Sequence, residues 1–298
     1  MVLTKKIIFV FHIFLISLKL HPAKAQTWIK AGYWDSSSEF PISHINPSIF
    51  THLLCGFANL DSTSYQLSLT PSEEEQFAKF TVALKQKNPS VTALLSIGGQ
   101  RANYTNFSSM VSNYSYRKSF IDSSIKMARF YDFQGLDLCW MYPRTGSDVF
   151  NMGTLSGEWQ DAIELEARNS GQSQLLLTAM VGHSPGNYPR TYPIDSLQRH
   201  LNWVHVMATD CYTPMRMNVT GPHAALFDPN SSASTDHGIE EYGGLSSRRL
   251  DLCLPCYGFA WTLLNLEDNG VGAPATGPAL NKYGFQNYEE ILNLIQKY

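Results

Sequence analysis

Charge is scarce in this sequence: Asp, Glu, Lys and Arg make up 16% of its 298 residues, and the formal balance is only −3. With no basic surplus there is no electrostatic footprint for a phosphate backbone, which excludes nucleic acid as a partner. Cysteine is sparse as well. Cys55, Cys139, Cys211, Cys253 and Cys256 are odd in number and do not form a disulfide framework. Cys253-x-x-Cys256 lies in an apolar run that reads as a strand, where residues three apart face opposite sides roughly 10 Å from each other, too far for a bridge. The nine His residues are scattered without ligand spacing, so neither a metal nor a cofactor is expected. A glycine-rich phosphate loop is missing, and so is any linker or low-complexity stretch that would divide the chain.

Long hydrophobic runs are also lacking. The longest, residues 7–20, is interrupted by His12, Ser17 and Lys19 and falls short of the ~20 apolar residues of a membrane span. Lys5 and Lys6 precede it and Ala23-Lys24-Ala25 follows, the pattern of a secretory signal peptide over residues 1–25. Its loss would remove four Lys and no acid, moving the charge from −3 to −7 and leaving 26–298 as one domain without a membrane anchor. Five Asn-x-Ser/Thr sequons, at Asn103, Asn106, Asn113, Asn218 and Asn230, fit a glycoprotein that is extracellular or vacuolar.

What the sequence does have is alternation. Short apolar runs at 29–34, 52–60, 91–98, 135–141, 175–181, 204–210 and 250–259 are separated by helical patterns, which predicts a parallel α/β arrangement. Seven such strands point towards a barrel, with an open doubly wound sheet as the alternative from periodicity alone. One connecting helix is explicit: Thr70-Pro71-Ser72-Glu73 supplies an N-cap, a first-turn proline and a capping-box acid, Phe77, Phe80 and Leu84 form an inward stripe, and Asn88-Pro89 ends it. A second, from Ser115 to Tyr131, gathers Phe120, Ile121, Ile125 and Ala128 on one side. Glu158, Asp161, Glu164 and Glu166 read as the solvated face of a later helix.

The strand Gly135-Leu136-Asp137-Leu138-Cys139-Trp140-Met141 carries the most chemistry. Side chains two apart share a face, so Asp137, Cys139 and Met141 project together. With the blocks Ala31-Gly32-Tyr33-Trp34, Leu95-Ser96-Ile97-Gly98-Gly99, Gly221-Pro222-His223-Ala224-Ala225-Leu226-Phe227-Asp228-Pro229 and Tyr257-Gly258-Phe259-Ala260-Trp261, it resembles glycoside hydrolase family 18, and the plant class V chitinases within it. The resemblance implies a TIM-type (β/α)8 barrel. It also implies that the family motif Asp-Gly-Leu-Asp-Leu-Asp-Trp-Glu-Tyr-Pro has Gln134, Cys139 and Met141 in place of two aspartates and the catalytic glutamate, while Asp137 is kept. In the family that glutamate protonates the glycosidic oxygen, and the substrate's own acetamido group attacks the anomeric carbon.

Met141 has no ionisable proton and Cys139 is a weak donor, so no catalytic residue of the family set is intact. Thr209 stands where the family has a tyrosine, beside a retained Asp210. By the same resemblance, Tyr33, Phe57, Asp137, Met207, Asp210, Tyr212 and Trp261 are the residues expected to bind sugar. Cys139, Cys211 and Asp210 approach the same rim, where a soft metal or a strained disulfide is a minor alternative in a geometry the sequence does not fix. Nothing resembling an eighth strand follows, so the expectation is an incomplete barrel of seven strands, shortened at its C-terminus, with 262–298 as part of an α+β insertion. Its open edge would be covered by a protein partner or an oligomer. The function implied is a catalytically inactive protein that binds chitin or chito-oligosaccharides. The alternatives are a weak chitinase, a protein-binding glycosidase inhibitor and a non-functional shortened copy.

Overall fold

The computed structural model describes residues 28–297 apart from 39, 101, 142, 183–191, 229–233, 241 and 243. The signal peptide expected over 1–25 and the sequon at Asn230 lie outside the described residues. The chain divides into two compact units at 30/31, and every element below belongs to the second.

Seven parallel strands form the frame: β1 (Ala31–Asp35), β2 (His52–Leu60), β4 (Thr92–Gly98), β5 (Gly135–Cys139), β6 (Leu176–Gly182), β7 (Trp203–Met207) and β8 (Leu250–Leu252), hydrogen-bonded in that order. A two-residue strand, β3 (Leu67–Ser68), pairs antiparallel with the end of β2. Among the described residues no strand joins β8 to β1, so the sheet is an incomplete TIM-type barrel with two free edges.

The helices follow from local signals. Helix α1 (Pro71–Lys87) starts at a full capping box, with the Thr70 backbone N–H donating to Glu73 at 2.7 Å and the Glu73 N–H returning to Thr70 Oγ1 at 3.3 Å. Its stripe Phe77, Phe80 and Leu84 is buried against the sheet. Helices α2 (Tyr104–Ser112) and α3 (Tyr114–Phe130) are capped by Asn103 and Asn113, two of the sequon asparagines. Each cap uses the amide oxygen. The long α4 (Gly146–Ser170) begins at a second capping box, Thr145 with Asp148, and stops at the left-handed Gly171. The short α5 (Ile194–His200) and α6 (Thr235–Glu240) flank β7 in sequence. None of the described helices is long and apolar enough to cross a membrane.

Two expectations need correcting. Glu158 and Glu166 are not a solvated face: Arg117 grips Glu158 with two bonds of 2.8 Å, and Arg129 pairs with Glu166, so these acids fasten α4 to α3. The strand expected over 250–259 is two strands. Pro255 cannot donate to a ladder, and the run breaks there. β8 ends at Leu252, while β9 (Tyr257–Phe259) leaves the barrel and pairs antiparallel with β12 (Phe285–Asn287). A second antiparallel pair, β10 (Trp261–Leu263) with β11 (Ala275–Pro278), and helix α7 (Tyr288–Ile295) complete this region. Cys253 and Cys256 therefore sit in a connection rather than a strand, and both are free thiols.

Candidate functional site

Alternation along the barrel strands sends every second side chain inwards, and the interior is built in steps. Asp137, fully buried on β5, is the hub of the lower step. Its Oδ2 accepts from Ser96 Oγ of β4 at 2.7 Å and from the Tyr33 hydroxyl of β1 at 3.0 Å, and its Oδ1 accepts from Thr178 Oγ1 of β6 at 2.8 Å. His205 of β7 comes next, with Nε2 3.9 Å from Asp137. The Trp203 indole N–H donates to Nε2 at 3.2 Å, which places the imidazole proton on Nδ1, 2.9 Å from Asp251 of β8. Burial, and then the Asp137 charge, hold the Tyr33 hydroxyl well above its ordinary pKa, so it remains a donor.

Two residues further along the same strands the chemistry changes. Cys139, Met141 and Met180 form one buried apolar cluster, with Met207, Cys253, Tyr33 and Phe57 packed against it. The Cys139 thiol lies 3.6 Å from the Met180 sulfur. Burial pushes the Cys139 thiol well up, with Asp137 adding to the effect, and burial raises Cys253 to about 12, helped by Asp251 and Asp137. Neither is a thiolate nucleophile at neutral pH. The backbone around them is closely fitted. Gly98 and Gly99 have φ of +107° and +75°; a Cβ on Gly98 would stand 2.7 Å from the Cys139 carbonyl oxygen, and one on Gly99 2.6 Å from the Phe57 ring. The Tyr192 hydroxyl donates to the Met141 carbonyl and accepts from Gly182 N–H, tying the end of β5 to β6.

This sulfur-rich step is the floor of a cavity of about 450 Å³. Its walls are Tyr33, Asp35, Ser37, Phe57, Gln100, Thr209, Leu254, Pro255 and Tyr257. Asp35 is the one carboxylate among the described lining residues, and its Oδ1 accepts from both the backbone N–H and the hydroxyl of Ser37.

Of the residues singled out from the sequence, the structure brings Tyr33, Phe57, Cys139, Met141, Met207 and Thr209 together around this cavity. Asp137 lies beneath it. Gln134 is elsewhere, at the start of β5, where its Oε1 accepts from Ala93 N–H at 3.0 Å and ties β5 to β4. Asp210 sits behind the wall: Tyr257 donates to it at 2.7 Å and His223 stands 3.5 Å away. Tyr212 turns to Asp228 and packs its ring on Gly221, where any Cβ would collide at 2.2 Å. Trp261, expected at the rim, is carried off by the β10–β11 pair and does not line the cavity. Cys211 is buried outside it as well, so Cys139, Cys211 and Asp210 make no common group there. Asp35, Ser37, Gln100, Met180 and Tyr257 line the cavity without having been picked out. For Met180 a signal existed, because Thr178 and Met180 share a face opposite Leu177 and Ala179.

Known proteins share this sequence and this architecture. A class V chitinase of Arabidopsis thaliana is 44% identical over 281 residues, covering 93% of this chain and 74% of its own. A mutant class V chitinase from Nicotiana tobaccum, solved in complex with NAG4, superposes with a TM-score of 0.87 at 42% identity, over 91% of this chain and 80% of that one. The chitinase-like agglutinin RobpsCRA from Robinia pseudoacacia superposes at 0.84, again at 42% identity, over 90% and 80%. The family model for glycosyl hydrolases family 18 matches residues 29–297, nearly the whole described length, and to that family the chain belongs.

Proposed function

We propose that this protein is secreted and binds chito-oligosaccharides in the cavity at the C-terminal ends of its barrel strands without hydrolysing them. One observation carries the reading: Cys139 and Met141 form the floor where the family resemblance calls for carboxylic acids, and the one carboxylate among the described lining residues, Asp35, stands on the wall and not on the floor. Positioned general acid–base catalysis contributes roughly 10²–10⁴-fold, and neither Cys139 nor Met141 can supply it from the floor. Binding has different requirements. Aromatic faces at Tyr33, Phe57 and Tyr257, with polar groups from Ser37, Gln100 and Thr209, suit the alternating apolar and hydroxyl surfaces of a sugar ring. The tobacco complex with NAG4 and the Robinia agglutinin support both halves of the reading, since one relative is described with a chito-oligosaccharide and another by agglutination.

A weak hydrolase is the second reading, and Asp35 on the cavity wall is what favours it. Calorimetric titration with chitin tetramer and hexamer, followed by product analysis of the same samples, decides between them. The expected result is saturable heat with intact oligosaccharide. Release of shorter oligomers that is lost in Asp35→Asn would overturn the non-hydrolytic reading, and absence of heat from a folded sample would overturn the sugar reading.

A further inference from the structure

The floor of the cavity is unusual in its donors. Three thioethers and two thiols, on β5, β6 and β7 and in the connections just after β5 and β8, converge in one cluster. No three His, Cys, Asp and Glu side chains among the described residues are grouped to hold an ion, so an oxygen or nitrogen site is not at issue. Sulfur is the donor type the cluster has to spare, since the hydroxyl of Tyr33, the one oxygen-bearing side chain packed against it, is committed to Asp137. Soft thioether and thiolate ligands select soft ions such as Cu(I), whereas neutral thioethers are poor partners for hard cations.

The geometry suits a shared ion. Cys139 Sγ and Met180 Sδ are 3.6 Å apart. Two metal–sulfur bonds of about 2.3 Å span that distance at an angle near the tetrahedral value. Met207 and Cys253 are only partly buried and border the open cavity, which gives an ion a path in. A single thiolate among thioethers neutralises a monovalent ion, so the desolvated floor would carry no net charge, and the thiol proton would leave to solvent as the ion enters.

We propose that Cys139, Met180, Met207 and Cys253, with Met141 at their edge, form a binding site for a soft monovalent d¹⁰ cation of the Cu(I) class. The site does not depend on the sugar reading, because its donors are the floor and not the walls.

Ag(I), which is stable in air and needs no reductant, is the probe. The full chain carrying Cys256→Ser, which removes an exposed thiol outside the cavity, is titrated with silver nitrate in chloride-free buffer and followed by native mass spectrometry and calorimetry. One tightly held ion per chain is expected. Met180→Leu with Met207→Leu conserves volume and leaves the unfolding temperature nearly unchanged, yet should weaken binding at least tenfold. Met152→Leu, a buried methionine of α4 away from the cavity, should leave it as it was. Failure to retain any ion would overturn the proposal. So would equally tight binding by the folded Met180→Leu/Met207→Leu chain, which would reduce the effect to thiol chemistry alone. A chain that holds Ag(I) but ignores chitin tetramer supports this site while refuting the sugar reading.

Discussion

Both oxygens of Asp137 are engaged by hydroxyls from three other strands, whereas two residues beyond Asp137, Thr178, His205 and Asp251 the inward side chains are Cys139, Met180, Met207 and Cys253. The lower step is a hydrogen-bonded network around a buried carboxylate. The upper step has no charge and scarcely a hydrogen bond. A buried polar network is costly to disturb singly, since each lost member strands its partners, while a shelf of sulfur side chains tolerates exchange among similar volumes. On the proposed non-hydrolytic reading, the contrast would explain how a family 18 frame can persist with a sulfur floor at its mouth: the fold rests on the lower step, and side chains of the upper one can change without disturbing it.

The largest effect should come from making the upper step resemble the lower. Met141→Glu together with Cys139→Asp would return a proton donor and its neighbour to the floor. We expect hydrolysis of a chromogenic chito-oligosaccharide to rise about 10²–10⁴-fold over the parent. The new carboxylates would stand near Asp137, so the variant should also unfold earlier, by about 1–3 kcal/mol. An increase below tenfold in a folded double variant would show that carboxylic acids at these two positions are not enough to make this site hydrolytic, against the proposed reading.

Asp137→Ala attacks the lower step directly. It leaves the Tyr33 and Ser96 hydroxyls without this acceptor in a buried place, and Thr178 with only its longer 3.4 Å bond to the Leu136 carbonyl. At about 1–3 kcal/mol for a stranded group, the loss should reach about 3 kcal/mol or more. Denaturant unfolding should show it as a lower midpoint at unchanged slope. A loss under about 1 kcal/mol would mean that the network is not what holds the strands in register.

These two steps were unequally legible in the sequence. The Thr70 capping box, the Phe77–Phe80–Leu84 stripe and the grouping of Asp137 with Cys139 and Met141 are local, set by spacings of three, four and two, and could be read directly. The partners of Asp137 lie 41 to 104 residues away, and only strand order and register bring them together. The sulfur shelf is of the same kind: alternation puts Met180 on the face of Thr178, but only strand order brings it to Cys139. The break at Pro255 was hidden because an apolar run on either side of a proline reads as one strand by hydrophobicity, and the antiparallel pairings that follow decide where Trp261 points.

The difference between the steps can be sharpened with thiol chemistry. Cys253, whose burial raises it to about 12, should react with iodoacetamide about tenfold faster for each unit of pH between 7 and 9.5. Exposed Cys256 should be labelled first at every pH in that range. Peptide mapping after timed labelling would show this. A Cys253 rate that levels off below pH 9 would place a cation or a strong donor beside the thiol, and the upper step would then not be apolar.

The smallest effect concerns the one carboxylate network that borders the upper step from behind. Burial alone would raise Asp210, but the hydrogen bond from the Tyr257 hydroxyl, the His223 ring 3.5 Å away and the charge of Arg216 outweigh it and hold the carboxyl below its ordinary 3.8. A depressed folded value means that the ionised form favours the folded state, so its contribution is complete above the unfolded pKa and is lost as pH falls through the folded one. Asp210→Asn keeps an acceptor for the Tyr257 hydroxyl and removes only the charge. The unfolding temperature of the parent should therefore exceed that of the variant by a constant small margin from pH 5 to 7, and the margin should close as pH drops below about 4. A margin that stays the same down to pH 2.5, or widens there, would show that Asp210 serves Tyr257 through shape rather than charge, and the rim would then be as free of electrostatic support as the sulfur floor.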